Sequence, residues 1–418
     1  MPTSILDQVT LGYQLVWNRV RQCCAVQLFV GVPPAASIDA PHLLRAIGSF
    51  WSTQAPSLLL CPQSAQLLCD LLDHAPVESP RIEVNQAWLH DPAIAQRVHR
   101  AHQRGLQLLW RGEPGQRPNV ALAPCFESTM LSLTAGEALT SLRVSLHRHH
   151  HAHQEAPLAG LRSPVLAGQI YESVASRVLV EHCLDQQGAW GVAGWPVEDV
   201  LHGYRHQRIQ PDQQAIIHLI EAIDADESNE LIEQALVDEP LLAYRFLRYA
   251  NSAGLGLRTE IDSVRHGLMV LGFALVKSWL LEQLPHAASD MNLQPIRAAM
   301  ALRAQLMAHL LDAGESDELR REVVLCGVLS QIDLMLGEPL AAALQRLPLS
   351  SRIIQALLSQ TGPYAPYLAA ACALESADTA GLLALCEAHG LAVGEVNRVL
   401  LRALSATRPH PAHGLLLV

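Results

Sequence analysis

The sequence predicts an α/β domain, a compact or truncated β/α barrel, followed by an all-α domain. Three observations carry this. Over the first ~200 residues, short apolar runs alternate with helical patterns, as in sheets built with crossovers. After about Tyr204 the strand signals stop and helix follows helix. The chain has 418 residues, more than the roughly 250–300 that one core usually holds. The expected division is residues 1–205, 206–407 and a tail at 408–418, with the boundary in "GYRHQRIQPD".

The strand candidates of the first half are "GYQLVW" (12–17), "AVQLFVGV" (25–32), "SLLLC" (57–61) and "LQLLW" (106–110). Further along come "NVALAP" (119–124), "SLRVSL" (141–146), "SPVLAG" (163–168) and "AWGVAG" (189–194). Helical patterns lie between several of them: "PHLLRAIGSFW", "SAQLLCDLL", "DPAIAQRVHRAHQRG" and "QIYESVASRVLVEHCLDQQG". Seven or eight such units make a parallel sheet closing into a barrel.

In the second half, Leu231, Ile232, Ala235 and Leu236 share a helical face, with Ser228 as N-cap and Glu230 in the first turn. Leu242, Phe246 and Tyr249 repeat at helical spacing after Pro240, as do Val264, Leu268 and Leu271. The stretch "CGVLSQIDLML", Cys326–Leu336, reads as the middle of a buried helix. Trp279, Tyr364 and Tyr367 read as core, the alternative being a "GPYAPY" loop that presents aromatics.

Composition narrows the function. Half the residues are hydrophobic and the net charge is −11, which argues against a nucleic-acid partner. No apolar run is read as reaching the ~18–20 residues of a membrane helix, and "MPTSILDQVTLGYQ" lacks a signal core. The expected location is the cytoplasm. The nine cysteines form no CxxC pair and read as small buried hydrophobes. There is no GxSxG, P-loop or GxGxxG. "HRHHHAH" offers His147, His149, His150, His151 and His153, and an exposed titrating loop is preferred there to a metal site. In "LHDP", Asp91 before Pro92 reads as an N-cap beside His90, with no chemistry.

Residues from about 212 to 405 resemble the HDOD domain, a non-enzymatic relative of the metal-dependent HD phosphohydrolases. The resemblance rests on "LIEQALVDEPLLAYRFLRYANSAG", "SVRHGLMVLGFALVKSWLL" and "LCGVLSQIDLMLGEPLAAALQRLPL". In the HD enzymes the last segment carries a metal-binding His-Asp pair. Here Ser330 and Gln331 stand in its place, with Asp333 nearby. The helix that usually supplies an upstream histidine reads "PIRAAMALRAQLMAHLLDAG", where His309 is the sole imidazole and falls late.

The first half resembles, chiefly in topology, the EAL phosphodiesterases of cyclic di-GMP. "LGYQLVW" looks like their opening strand, with Gln14, Leu15 and Val16 at the namesake Glu-Ala-Leu, and "AWGVAGWPVED" like their last strand and loop. An amide at Gln14 cannot replace a charged metal ligand. Where the family's paired aspartates follow the middle strand, this chain has Leu109, Trp110 and Arg111, with Glu113 alone.

These resemblances imply a bacterial signalling or regulatory protein, linked to cyclic di-GMP, acting through a protein partner. The expectation is no enzyme, no cofactor, and no catalytic, cofactor-binding or metal-binding residue. The rivals are a metal-dependent phosphohydrolase or cyclic di-GMP phosphodiesterase, and a sensor that binds a cyclic dinucleotide without cutting it, for which Arg111 is the phosphate candidate.

Overall fold

A computed structural model describes residues 4–33, 38–116, 118–150, 162–311 and 317–407. The chain divides into two compact units, one formed by Met1–Asp199 with Ala373–Val418, the other by Val200–Cys372. The expected tail at 408–418 lies outside the described residues.

In the first unit, eight strands close into a barrel in sequence order. They are β1 (Thr10–Trp17), β2 (Cys23–Gly31), β3 (Ser57–Pro62), β4 (Arg81–Asn85), β5 (Leu108–Gly112), β6 (Ser128–Ser132), β7 (Ile170–Glu172) and β8 (Gly191–Ala193). β1 runs antiparallel to both its neighbours, β2 and β8, and every other pair is parallel. The helices are α1 (Ala40–Gly48), α2 (Ala65–His74), α3 (Pro92–Gln103), α4 (Ala135–His150), α5 (Arg177–Glu181) and the first half of α6 (Val197–His202), inside which the unit boundary falls. Asp91 caps α3 as its sequence suggests, accepting from Ala93 N at 2.8 Å.

Three expected strands are replaced by others. "SLRVSL" lies inside α4, where Ser141, Val144 and Ser145 are buried at helical spacing. "NVALAP" holds a turn, with Asn119 Oδ1 accepting from Ala121 N, and then a 3₁₀ turn at Ala123–Cys125. "SPVLAG" ends in a turn at Gly168, whose φ is +73°. The strands β4, β6 and β7 fill these gaps. β7 lies at the start of the expected helix "QIYESVAS…", because the helical signal begins only at its N-cap, Ser176, which accepts from Leu179 N at 3.3 Å. His147 falls at the end of α4 and is half-buried. The side chains of His149, His150, His151 and His153 lie outside the described residues.

The second unit contains α7 (Gln213–Asp224), α8 (Asn229–Val237), α9 (Pro240–Ala250), α10 (Val264–Gln283), α11 (Gln294–Leu310), α12 (Asp317–Leu329), α13 (Ile332–Leu336), α14 (Leu340–Leu344), α15 (Ser351–Ile354) and most of α16 (Ala365–Leu374). Ser228 caps α8, accepting from Leu231 N at 3.3 Å. Ile232 and Leu236 are buried, but Leu231 points outward at 57% exposed. Leu242, Phe246, Trp279 and Tyr364 are core, while Tyr249 and Tyr367 are half-buried.

α10 has the length and apolar composition of a membrane span, an exception to the expectation of no such run. It buries Leu268, Val276, Trp279 and Leu280, and Gly272 breaks it with φ +70° and ψ 155°, a conformation open to glycine alone at little cost. The stretch 326–336 is likewise not one helix. α12 ends at Leu329 and α13 starts at Ile332, with Ser330 and Gln331 in the turn between them.

The helical half expected at 206–407 does not run as one body. From Ala373 the chain rejoins the barrel unit through α17 (Ala380–His389) and α18 (Val393–Ala406). The reason is chemical: Asn397, fully buried, donates through Nδ2 to the carbonyls of Leu6 and Val9, both at 2.8 Å, and accepts from Leu11 N at 3.2 Å. One amide thus satisfies three backbone groups at the entry to β1. Gly394 lets α18 approach this close, since a Cβ there would meet the Asp7 carboxylate at 1.6 Å.

Replacing Asn397 leaves three buried groups unpaired, each costing about 1–3 kcal/mol. Asn397→Ala should therefore destabilise the barrel unit by roughly 3 kcal/mol or more, read as a lowered denaturation midpoint. A fragment of residues 200–372 should be soluble and helical by circular dichroism. One of 206–407 should aggregate, because it strips Val396, Leu400 and Leu404 of their partners.

Candidate functional site

Side chains alternate along a strand with period two, so residues two apart stack in successive layers inside a barrel. The lower interior layer is apolar: Val16, Ala25, Leu59, Leu109, Met130 and Ile170 pack together with Ala193. Two residues further along the same strands, toward the carboxyl ends of the parallel ones, come Gln14, Gln27, Cys61, Arg111, Ser132 and Glu172, joined by Glu83 of β4. That is the face where barrels of this architecture place their chemistry.

This layer is organised around Arg111. Its Nε donates to Glu172 Oε1 at 2.7 Å and its Nη1 to Glu83 Oε1 at 3.0 Å. Ser132 Oγ donates to the same Glu172 oxygen at 2.5 Å. Gln27 Nε2 donates to Glu83 Oε2 at 3.0 Å, and Cys61 Sγ lies 2.9 Å from that oxygen. Burial and the adjoining Glu83 carboxylate push the Cys61 thiol well above its usual range, so it stays neutral and donates. Burial opposes the Arg111 charge, but the two carboxylates outweigh it and hold the guanidinium above its ordinary range.

The resemblance to metal-dependent phosphodiesterases implies a divalent cation at this level, and the residues do not fit one. The two buried carboxylates are bridged by a guanidinium, Gln14 is an amide beside Gly194, and Glu113 lies beyond β5, where it accepts from Gln116. Among the described residues no three His, Cys, Asp or Glu side chains converge with metal-holding geometry. Glu83 and Glu172 escape sequence reading because their strands do. The available signal is the lone acid between Ile82 and Val84 in "RIEVN", a charge on the inward side of an apolar strand.

The second unit repeats the arrangement. Gly327 lets α12 close on α11, where an added Cβ would meet Ala304 Cα at 2.5 Å. The adjacent Arg303, 7% exposed, thereby reaches the Ser330 turn. Its Nη1 donates to Ser330 Oγ at 3.3 Å, and the Gln331 amide, with its oxygen facing the guanidinium, accepts at 3.2 and 3.3 Å. Ser330 Oγ donates in turn to Gly327 O at 2.7 Å. Asp333 sits in the first turn of α13, and His309 is exposed on α11. The turn is thus held by neutral side chains and the Arg303 guanidinium.

A second buried arginine in this unit, Arg297, bridges Asp212 at 3.2 Å and Glu239 at 3.1 Å. Burial, eased by Arg297 and worsened by Asp212, raises the Glu239 carboxyl to about 7.

Residues 210–347 match the family model of the HDOD domain. An uncharacterized protein of Bacillus subtilis (strain 168), YuxH, is 29% identical over 127 residues, 29% of this chain and 31% of that one. The cyclic di-GMP phosphodiesterase CdgJ of Vibrio cholerae is 24% identical over 182 residues, 41% of this chain and 40% of the relative. The chain thus spans well under half the length of these curated relatives. The MmoQ response regulator of Methylococcus capsulatus str. Bath aligns over 47% of this chain and 99% of its own, at 19% identity and a TM-score of 0.38.

Two outcomes follow from the buried charges. Arg111→Leu strands Glu83 and Glu172 without their cation, and breaking a buried pair typically costs about 3–5 kcal/mol. Denaturant unfolding should show a loss of that size, whereas Arg111→Lys should lose less. At Glu239 the folded carboxyl keeps its proton between the unfolded value of 4.5 and about 7, where the unfolded chain has released it. Stability from this group therefore falls as pH rises through that window. Glu239→Gln should flatten the profile, so that wild type loses on the order of 2 kcal/mol relative to the variant between pH 5 and pH 8.

Proposed function

We propose, from the premise that residues 210–347 are an HDOD domain, that this chain is a non-catalytic regulatory protein of a bacterial signalling pathway, acting through a protein partner. One observation carries the reading: at each position where a related enzyme would hold a metal, this chain holds a guanidinium. Arg111 bridges Glu83 and Glu172, and Arg303 faces Ser330 and Gln331. A metal-assisted hydrolase needs open coordination positions and an activated water, and a resident cation repels the ion that would supply both.

Exposed apolar residues on α10 support a protein partner. Met269, Val270, Leu275 and Leu281 are 37–61% exposed, and exposed large hydrophobes in number can mark interaction sites. The Vibrio relative, a cyclic di-GMP phosphodiesterase, favours cyclic di-GMP hydrolysis as a second reading. Against it stands the charge balance of the barrel layer. The two carboxylates consume the Arg111 charge, which also leaves little of it for the phosphates of a bound dinucleotide.

Purified full-length protein, incubated with cyclic di-GMP and magnesium or manganese, should release no linear dinucleotide by liquid chromatography. Metal-dependent turnover that Glu83→Gln abolishes would overturn the proposal. Ser330→His with Gln331→Asp should also create no phosphodiesterase activity, because Arg303 would pair with the new carboxylate. A partner held by the wild-type chain should be lost on Val270→Asp with Leu281→Asp.

A further inference from the structure

A cleft of about 760 Å³ opens in the second unit, its lining including neither Arg303 nor Ser330 nor Gln331. Its walls come from α9, α10, α13 and the segment before α7. In a chain of net charge −11, this cleft is lined by Arg208, Arg245, Arg248 and Arg346, against the single acid Glu338. Arg346 spends its charge on Glu338 through two bonds of 2.5 and 2.8 Å. Among the described residues, the other three have no carboxylate within hydrogen-bond reach.

Arg245 is held in place by Gln210 Oε1 at 2.9 Å. Burial, with the neighbouring Arg208 and Arg248 adding to it against Glu239, lowers its affinity for its own proton. Arg248 lies over the Tyr244 ring at 6.0 Å. Collecting like charges in a partly desolvated cleft is unfavourable, and an anion bound among them relieves it.

The floor is aromatic. Tyr249 stacks on the buried Trp279 with ring centres 5.6 Å apart and planes inclined by 20°, and Phe246 meets Trp279 edge-on at 5.5 Å. Tyr249 is thereby fixed as a half-buried, flat surface beside the guanidinium groups. A fixed ring next to an arginine cluster suits a ligand that is planar at one end and multiply anionic at the other. The volume lies within the ~300–1,000 Å³ typical of small-molecule sites.

We propose that this cleft binds a phosphorylated nucleotide, its phosphates held by Arg208, Arg245 and Arg248 and its base stacked on Tyr249. The inference does not rest on the barrel's silence or on the α10 partner face. It gives the helical unit a small-molecule input of its own.

The test is isothermal titration of the full chain with cyclic di-GMP, GTP, GMP and inorganic pyrophosphate as separate probes. At least one nucleotide should bind saturably with Kd below about 100 μM, and more tightly than pyrophosphate. Arg208→Glu with Arg248→Glu should weaken binding ten-fold or more, and Tyr249→Ala should weaken nucleotide but not pyrophosphate. Arg248→Lys should retain part of the affinity, and Arg143→Glu, on α4, should change nothing. Circular dichroism confirms that each variant is folded; Arg208 and Arg248 are surface residues. No nucleotide binding, pyrophosphate binding as tight as the nucleotides, or binding indifferent to the cleft variants would each overturn the proposal.

Discussion

A carboxylate shut inside a barrel must be matched by a cation, and in this chain the cation is a side chain. Arg111 lies between Glu83 and Glu172, and the upper interior layer is arranged around it. Gln27 and Ser132 occupy the remaining carboxylate lone pairs, and Cys61 stays a neutral donor. The layer below is wholly apolar and offers no second place for charge. Remove the guanidinium and the neighbours have nothing to orient toward. Because the cation is part of the chain, the arrangement is permanent.

The same solution recurs in the helical unit. Arg303 satisfies the broken turn at Ser330 and Gln331, while Arg297 balances Asp212 and Glu239 in the interior. In each case the arginine contributes several donors in a fixed fork, which a lysine could not reproduce. The arginines of the cleft are different. Arg346 is paired with Glu338, but among the described residues Arg208, Arg245 and Arg248 make no ion pair with a carboxylate, and a concentration of unmatched charge is a property of binding surfaces more than of cores. Structural and ligand-seeking arginines are therefore told apart by what faces them, not by residue type.

The unit boundaries follow from hydrogen bonding of the same kind. The backbone entering β1 has polar groups that no strand satisfies, and Asn397, nearly four hundred residues later, supplies all three partners. α17 and α18 thus belong to the barrel unit although they follow the helical one in sequence.

Local chemistry is legible in the chain itself. Short apolar runs at β1, β2, β3 and β5, the caps at Asp91 and Ser228, and the change to helical spacing after Tyr204 depend on near neighbours, and the sequence determines them. That Gln14, Ser330 and Gln331 carry neutral side chains is equally plain, because it needs only residue type. β7 was hidden because three residues are too few to show a period, and "SLRVSL" misled because two turns of a helix and a short strand share one pattern. The pairing of Arg111 with Glu83 and Glu172, of Arg303 with Ser330, and of Asn397 with β1, together with the gathering of arginines over Tyr249, was decided only by tertiary structure. Each joins residues distant in sequence, and no local spacing records which charges will be brought face to face when a barrel closes or helices pack.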